Sequence, residues 1–108
     1  MAFDSERLNA LSNASPFQDW EGVVAAGKLD ACRRIVCEAA RRLVESAEAT
    51  KPERAAIVRT AVHRLNEVDD GFICTIERED LCDHLVAIGT AAGLSSAEID
   101  DALDDRDW

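Results

Sequence analysis

The stretch from His63 to Leu94, HRLNEVDDGFICTIEREDLCDHLVAIGTAAGL, constrains the fold more than any other part of the chain. Ile57, Val58, Ala61, Leu65 and Val68 lead into it at helical spacing, and Leu81, Leu85, Ile88 and Ala92 lead out at the same spacing. The apolar–polar alternation of a half-buried strand is missing. Between the two runs lies an acidic turn over 69–74, centred on Gly71. Gly93 followed by Leu94 predicts a Schellman stop, a glycine and then its apolar contact. The pattern is helix, tight turn, helix, stop. The predicted fold class is all-α, a compact bundle of about five helices around this pair.

The rest of the chain agrees. Alanine, leucine, glutamate and arginine dominate, all good helix formers. At 108 residues and 47% apolar, residues 1–108 are expected to form a single helical domain. Asp4 or Ser5 caps a short helix over 4–12. Ser15-Pro16 predicts a second short helix, stopped by Gly27, with Phe17, Trp20 and Val24 on one face. Leu29 to about Ala47 carries the clearest stripe, with Arg34–Glu38 and Arg41–Glu45 as i, i+4 ion pairs on the opposite side. Thr50-Lys-Pro-Glu53 and Ser95-Ser-Ala-Glu98 match the capping box. Thr75 is the expected cap of the helix that follows the turn, and His63 is expected to be exposed. Ile99 and Leu103 face inward on the last helix.

The formal net charge is −10. Residues 28–68 are net basic by about three charges, and residues 69–108 carry all of the excess, with twelve acids and two arginines. A field of this sign repels nucleic acid and anionic membrane and attracts a basic protein partner. Alternatively, the acidic half folds over the basic middle helices and partly neutralises them. The candidate partner-binding residues are Asp100, Asp101, Asp104 and Asp105.

Cys32, Cys37, Cys74 and Cys82 follow no secretory apolar segment, so the thiols are expected to be reduced and the protein cytoplasmic. No apolar run approaches the roughly 20 residues of a membrane span. Zinc is disfavoured: C-x-x-C is missing, and Cys32 and Cys37 would lie about 140° apart around one helix.

Placing Gly71 sixth in a twelve-residue calcium loop puts Asn66 first, Asp70 fifth, Phe72 seventh with its carbonyl, apolar Ile73 eighth and Glu77 twelfth. With its flanking helices, the stretch over about 55–90 resembles a single EF-hand. That resemblance implies a weak, metal-responsive calcium site at Asn66, Asp70, Phe72 and Glu77. Val68 offers no oxygen at the third position and Cys74 is a poor ninth ligand, so affinity would fall in roughly the millimolar range. The other reading of the same residues is a helix corner, with Gly71 at positive φ and Glu77 capping. FICTIEREDLC is also similar to small bacterial helical proteins without an assigned activity, a similarity that implies no mechanism.

Asp80 lies one turn before His84 and would favour its protonated form. The isolated glycines form no phosphate loop, and no serine sits in a nucleophile elbow. Cys82 and His84 project in different directions from one helix. The reading is therefore a non-enzymatic, cofactor-free protein that binds a basic protein, as an inhibitor or immunity-type regulator would. A calcium-responsive module is the alternative. A homo-oligomer is a further possibility if Phe17, Trp20 and Val24 stay uncovered.

Overall fold

The computed structural model describes residues 3–108. Five α-helices follow one another: α1 (Ser5–Ser12), α2 (Ala26–Val44), α3 (Lys51–Val68), α4 (Thr75–Ala91) and α5 (Ser96–Leu103). A single 3₁₀ turn, Gln18–Trp20, lies between α1 and α2. There is no sheet among the described residues, only an isolated bridge between Glu21 and Val24. Among the described residues, no helix is long and apolar enough to cross a membrane.

The caps explain the boundaries. Asp4 Oδ1 accepts the Arg7 N–H at 3.0 Å, and Thr50 Oγ1 accepts the Glu53 N–H at 3.3 Å. The last box closes in both directions, with Glu98 Oε1 on the Ser95 N–H and Ser95 Oγ on the Glu98 N–H. Gly93 has φ +83, and the predicted Schellman stop forms: Leu94 N–H reaches the Gly89 carbonyl and Gly93 N–H the Thr90 carbonyl, both at 3.0 Å. The cap of α4 is Cys74 and not Thr75, because Glu77 Oε1 turns back to the Cys74 N–H at 2.9 Å.

Two predicted features are corrected. No α-helix starts at Ser15-Pro16. Phe17 takes the left-handed conformation (φ 64, ψ 36), which breaks a right-handed helix at once. The periodicity of Phe17, Trp20 and Val24 arises instead from a loop that folds back on Trp20. Trp20 is buried, and Phe17 and Val24 are half-buried. Gly27 has no helix to stop, so it lies inside α2, which starts at Ala26 and ends at Val44. Neither expected i, i+4 ion pair of α2 forms. Glu38 reaches across to Arg64 of α3 at 2.8 Å, where its carboxyl is held below the ordinary value by the guanidinium hydrogen bond and charge.

Contacts fix the layout. Lys28 meets Val68, Glu38 meets Arg64, and Ser46 meets Arg54, so α2 and α3 run antiparallel. Arg59 meets Asp101, and one turn further along α3 His63 meets Asp105, just past the end of α5, so α5 runs parallel to α3. The core is continuous. It includes Leu8 of α1, Val36 and Leu43 of α2, Val58 and Leu65 of α3, Leu81 and Leu85 of α4, and Ile99 of α5. Each fully buried side chain of this size is worth about 1.5–3 kcal/mol. Exposed ion pairs are worth about 0–1 kcal/mol. Apolar contact therefore holds α5 down, and its ion pairs set its register.

Gly89 makes the α4–α5 crossing close. A Cβ there would sit 2.7 Å from Ile99 Cγ1 and 2.9 Å from Cδ1, and Ile99 is itself buried. Gly89→Ala gains about 1 kcal/mol of helix propensity but overpacks the crossing by about 1–3 kcal/mol. Urea melts should show net destabilisation. In an Ile99→Ala background, where the clash is gone, the same substitution should stabilise.

Candidate functional site

The acidic turn gathers a cation, and that cation is Lys28. Its ammonium donates to the Val68 carbonyl at 2.8 Å, lies 3.3 Å from Asp70 and sits 5.9 Å from the centre of the Phe72 ring. Gly71, with φ +103, lets the chain reverse, and Asp69 Oδ1 accepts the Gly71 N–H at 2.9 Å in an Asx-type turn. Glu77 caps α4. Asn66 turns away from the loop: its amide donates to the Asp105 carbonyl and its oxygen accepts the Asp107 N–H. Of the residues expected to hold calcium, Asn66, Asp70 and Glu77 thus serve three different partners, and the ring of Phe72 lies beside Lys28. Among the described residues there is no group of three or more His, Cys, Asp or Glu arranged to hold a metal ion.

The four C-terminal aspartates divide into two pairs. Asp101 and Asp105 face α3, where Arg59 reaches both at 2.7 and 3.1 Å and His63 reaches Asp105 at 2.8 Å. His63 is exposed, as expected, and it has this partner. Asp100 and Asp104 are exposed and enter no ion pair among the described residues. Asp104 and Asp105 stand at the negative end of α5, where the helix dipole disfavours anions. Arg59 and His63 offset this for Asp105 only.

A second acidic region was not evident from the sequence. Where the α1–α2 loop meets α4 there is an open cleft of about 360 Å³. Phe17 lines it, stacked on Trp20 with ring centres 4.4 Å apart and edge-on to His84 at 5.5 Å. Trp20 is buried, and its indole N–H donates to Asp80 Oδ2 at 2.9 Å. Asp19 and Asp83 add two more carboxylates, and Arg7 one cation. The partners Trp20 and Asp80 lie sixty residues apart, and no local pattern links them. Only the surplus of aromatic residues beside Pro16 hinted at a special segment.

His84 differs from its expected behaviour. Asp80 is turned to Trp20, and His84 Nε2 is buried without a hydrogen-bond partner. Burial, and secondly the Arg7 charge, hold the imidazole pKa below its ordinary 6.5. The ring is therefore neutral at pH 7. All four cysteines are free. Cys32 is buried like a small apolar side chain, and burial pushes its thiol up to about 11, whereas Cys37 and Cys82 are half-buried and Cys74 is exposed at the α4 cap.

No protein-family model matches the chain, and neither curated proteins nor solved structures give a match.

Two outcomes follow from this geometry. The folded state takes up a proton at His84 less readily than the unfolded chain does. The contribution of His84 is complete above about pH 6.5 and is lost as pH falls through its lower folded value. Denaturation midpoints should fall over that window and fall less in His84→Gln, and NMR should place the imidazole below 6.5. Asp80→Ala should cost about 1–3 kcal/mol by leaving the Trp20 N–H unpaired. Asp83→Asn, at an exposed position, should stay within about 0.5 kcal/mol of the parent. Urea melts read both.

Proposed function

We propose that this is a cytoplasmic, non-enzymatic protein whose acidic C-terminal half binds a basic protein, in the manner of an inhibitor or immunity-type regulator. The observation that carries the reading is the surplus of acid charge outside ion pairs. Of the twenty-two acids, five form ion pairs among the described residues: Glu21, Glu38, Asp70, Asp101 and Asp105. Their partners are Lys28, Arg33, Arg59 and Arg64, and twelve lysines and arginines are too few to match twenty-two acids. Folding of the acidic half onto α3 neutralises Asp101 and Asp105 and leaves Asp100 and Asp104 facing solvent one turn apart.

Exposed charge of one sign speeds encounter with the opposite sign and is screened by salt within about 8–10 Å at ordinary ionic strength. The calcium alternative gains no support from the turn, because Asn66, Asp70 and Glu77 already serve the tail, Lys28 and the α4 cap.

Affinity capture from the native cell at low and at high salt tests the proposal. Partners should be basic, should be released by roughly 0.5 M salt, and should be depleted on Asp100→Asn/Asp104→Asn. A partner retained at high salt, or captured equally by the double variant, would count against it.

A further inference from the structure

Resting on that reading, we infer that the cleft beside Phe17 is the anchor point, and that its occupant is an arginine side chain of the basic partner. Charge complementarity selects the occupant. Asp19, Asp80 and Asp83 bring three carboxylates to one cleft, and none is in an ion pair among the described residues. Arg7 is the single cation in the lining, so the cleft lacks about two positive charges. His84, the other basic group there, is neutral at pH 7 and does not oppose a cation.

Shape and chemistry narrow the choice further. Phe17 supplies an aromatic wall, and Leu11 and Ala87 supply apolar surface suited to a methylene stem. A guanidinium can lie on an aromatic ring and bond carboxylates with its rigid fork, which an ammonium matches less well. The Trp20 N–H fixes one oxygen of Asp80, so this carboxylate is oriented before any ligand arrives. The wall is likewise held in place, since the left-handed Phe17 is pinned by its stack on buried Trp20. Asp100 and Asp104, by contrast, are simply exposed on α5 and at its C-terminal cap.

The test is an NMR titration of the ¹⁵N-labelled protein with two pentapeptides, one with a single arginine between glycines and the other with citrulline in its place. Citrulline keeps the shape and removes the charge. The arginine peptide should shift signals of Phe17, Asp19, Asp83 and His84. The citrulline peptide should bind about tenfold more weakly or not at all, and Asp19→Asn/Asp83→Asn should lose about tenfold for the arginine peptide. Asp19 and Asp83 are exposed, so the double variant keeps its fold, which circular dichroism verifies. Asp100→Asn/Asp104→Asn should bind the pentapeptide as the parent does. Equal binding of citrulline, indifference to the Asp19/Asp83 variant, or shifts confined to α5 would overturn the cleft alone. In a third titration, with nona-arginine, binding of that peptide without binding of the pentapeptide would do the same and leave the wider reading intact. No response to either the pentapeptide or nona-arginine would overturn both.

Discussion

One guanidinium ties together the ends of three helices. Arg54, in the first turn of α3, donates to the carbonyls of Ser46 and Ala47 beyond α2 and to that of Ala92 at the end of α4. It also lies 4.7 Å from the centre of the Phe3 ring. The last carbonyls of a helix have no partner within the helix, and a planar cation with five donors answers several of them at once. Lys28 does the same for Val68 at the end of α3, and Arg33 for the Pro16 carbonyl in the loop. Five of the twelve basic residues, Lys28, Arg33, Arg54, Arg59 and Arg64, thus fasten one part of the chain to another. The surface sign follows from number: twenty-two acids face twelve lysines and arginines.

Local chemistry was the legible part of the sequence. The Gly93–Leu94 stop, the Ser95–Glu98 box and the positive φ of Gly71 each depend on residues within one turn, and each formed as written. Partner choice across the fold was not legible. Glu38 had an arginine four residues back on its own helix, yet it bonds Arg64, twenty-six residues away, because antiparallel α3 brings that guanidinium to 2.8 Å. Asp80 was read with His84 for the same reason of proximity and is instead used by Trp20. The loop over 13–25 misled the periodicity argument. Aromatic residues folded onto a core produce the same spacing of buried positions as a helix does, and a left-handed Phe17 leaves no trace in composition.

The candidate sites show the same division. The acidic turn looked like a receptor for an ion because its oxygens and glycine sit at suggestive intervals. Its oxygens serve Lys28 and the backbone. The cleft at Phe17 had no motif at all. It exists because a buried indole needs an acceptor, and a carboxylate on α4 is brought in to provide one. That carboxylate lies beside two others with only Arg7 as a cation in the lining, so a demand of the core leaves charge exposed at the rim.

The parallel seating of α5 on α3 bears on how the molecule assembles. Eight residues are too few to persist as a helix in water, where about 12–15 are needed even for favourable sequences. α5 therefore takes shape only on a surface already made by α3 and α4, through Ile99, Leu103 and the Arg59 fork. The same logic makes it an early element to detach when the native state opens locally, so its amide protons should be less protected than those of the long helices α2, α3 and α4. Assembly and fraying are then one path travelled in opposite directions, with α5 as its outermost step.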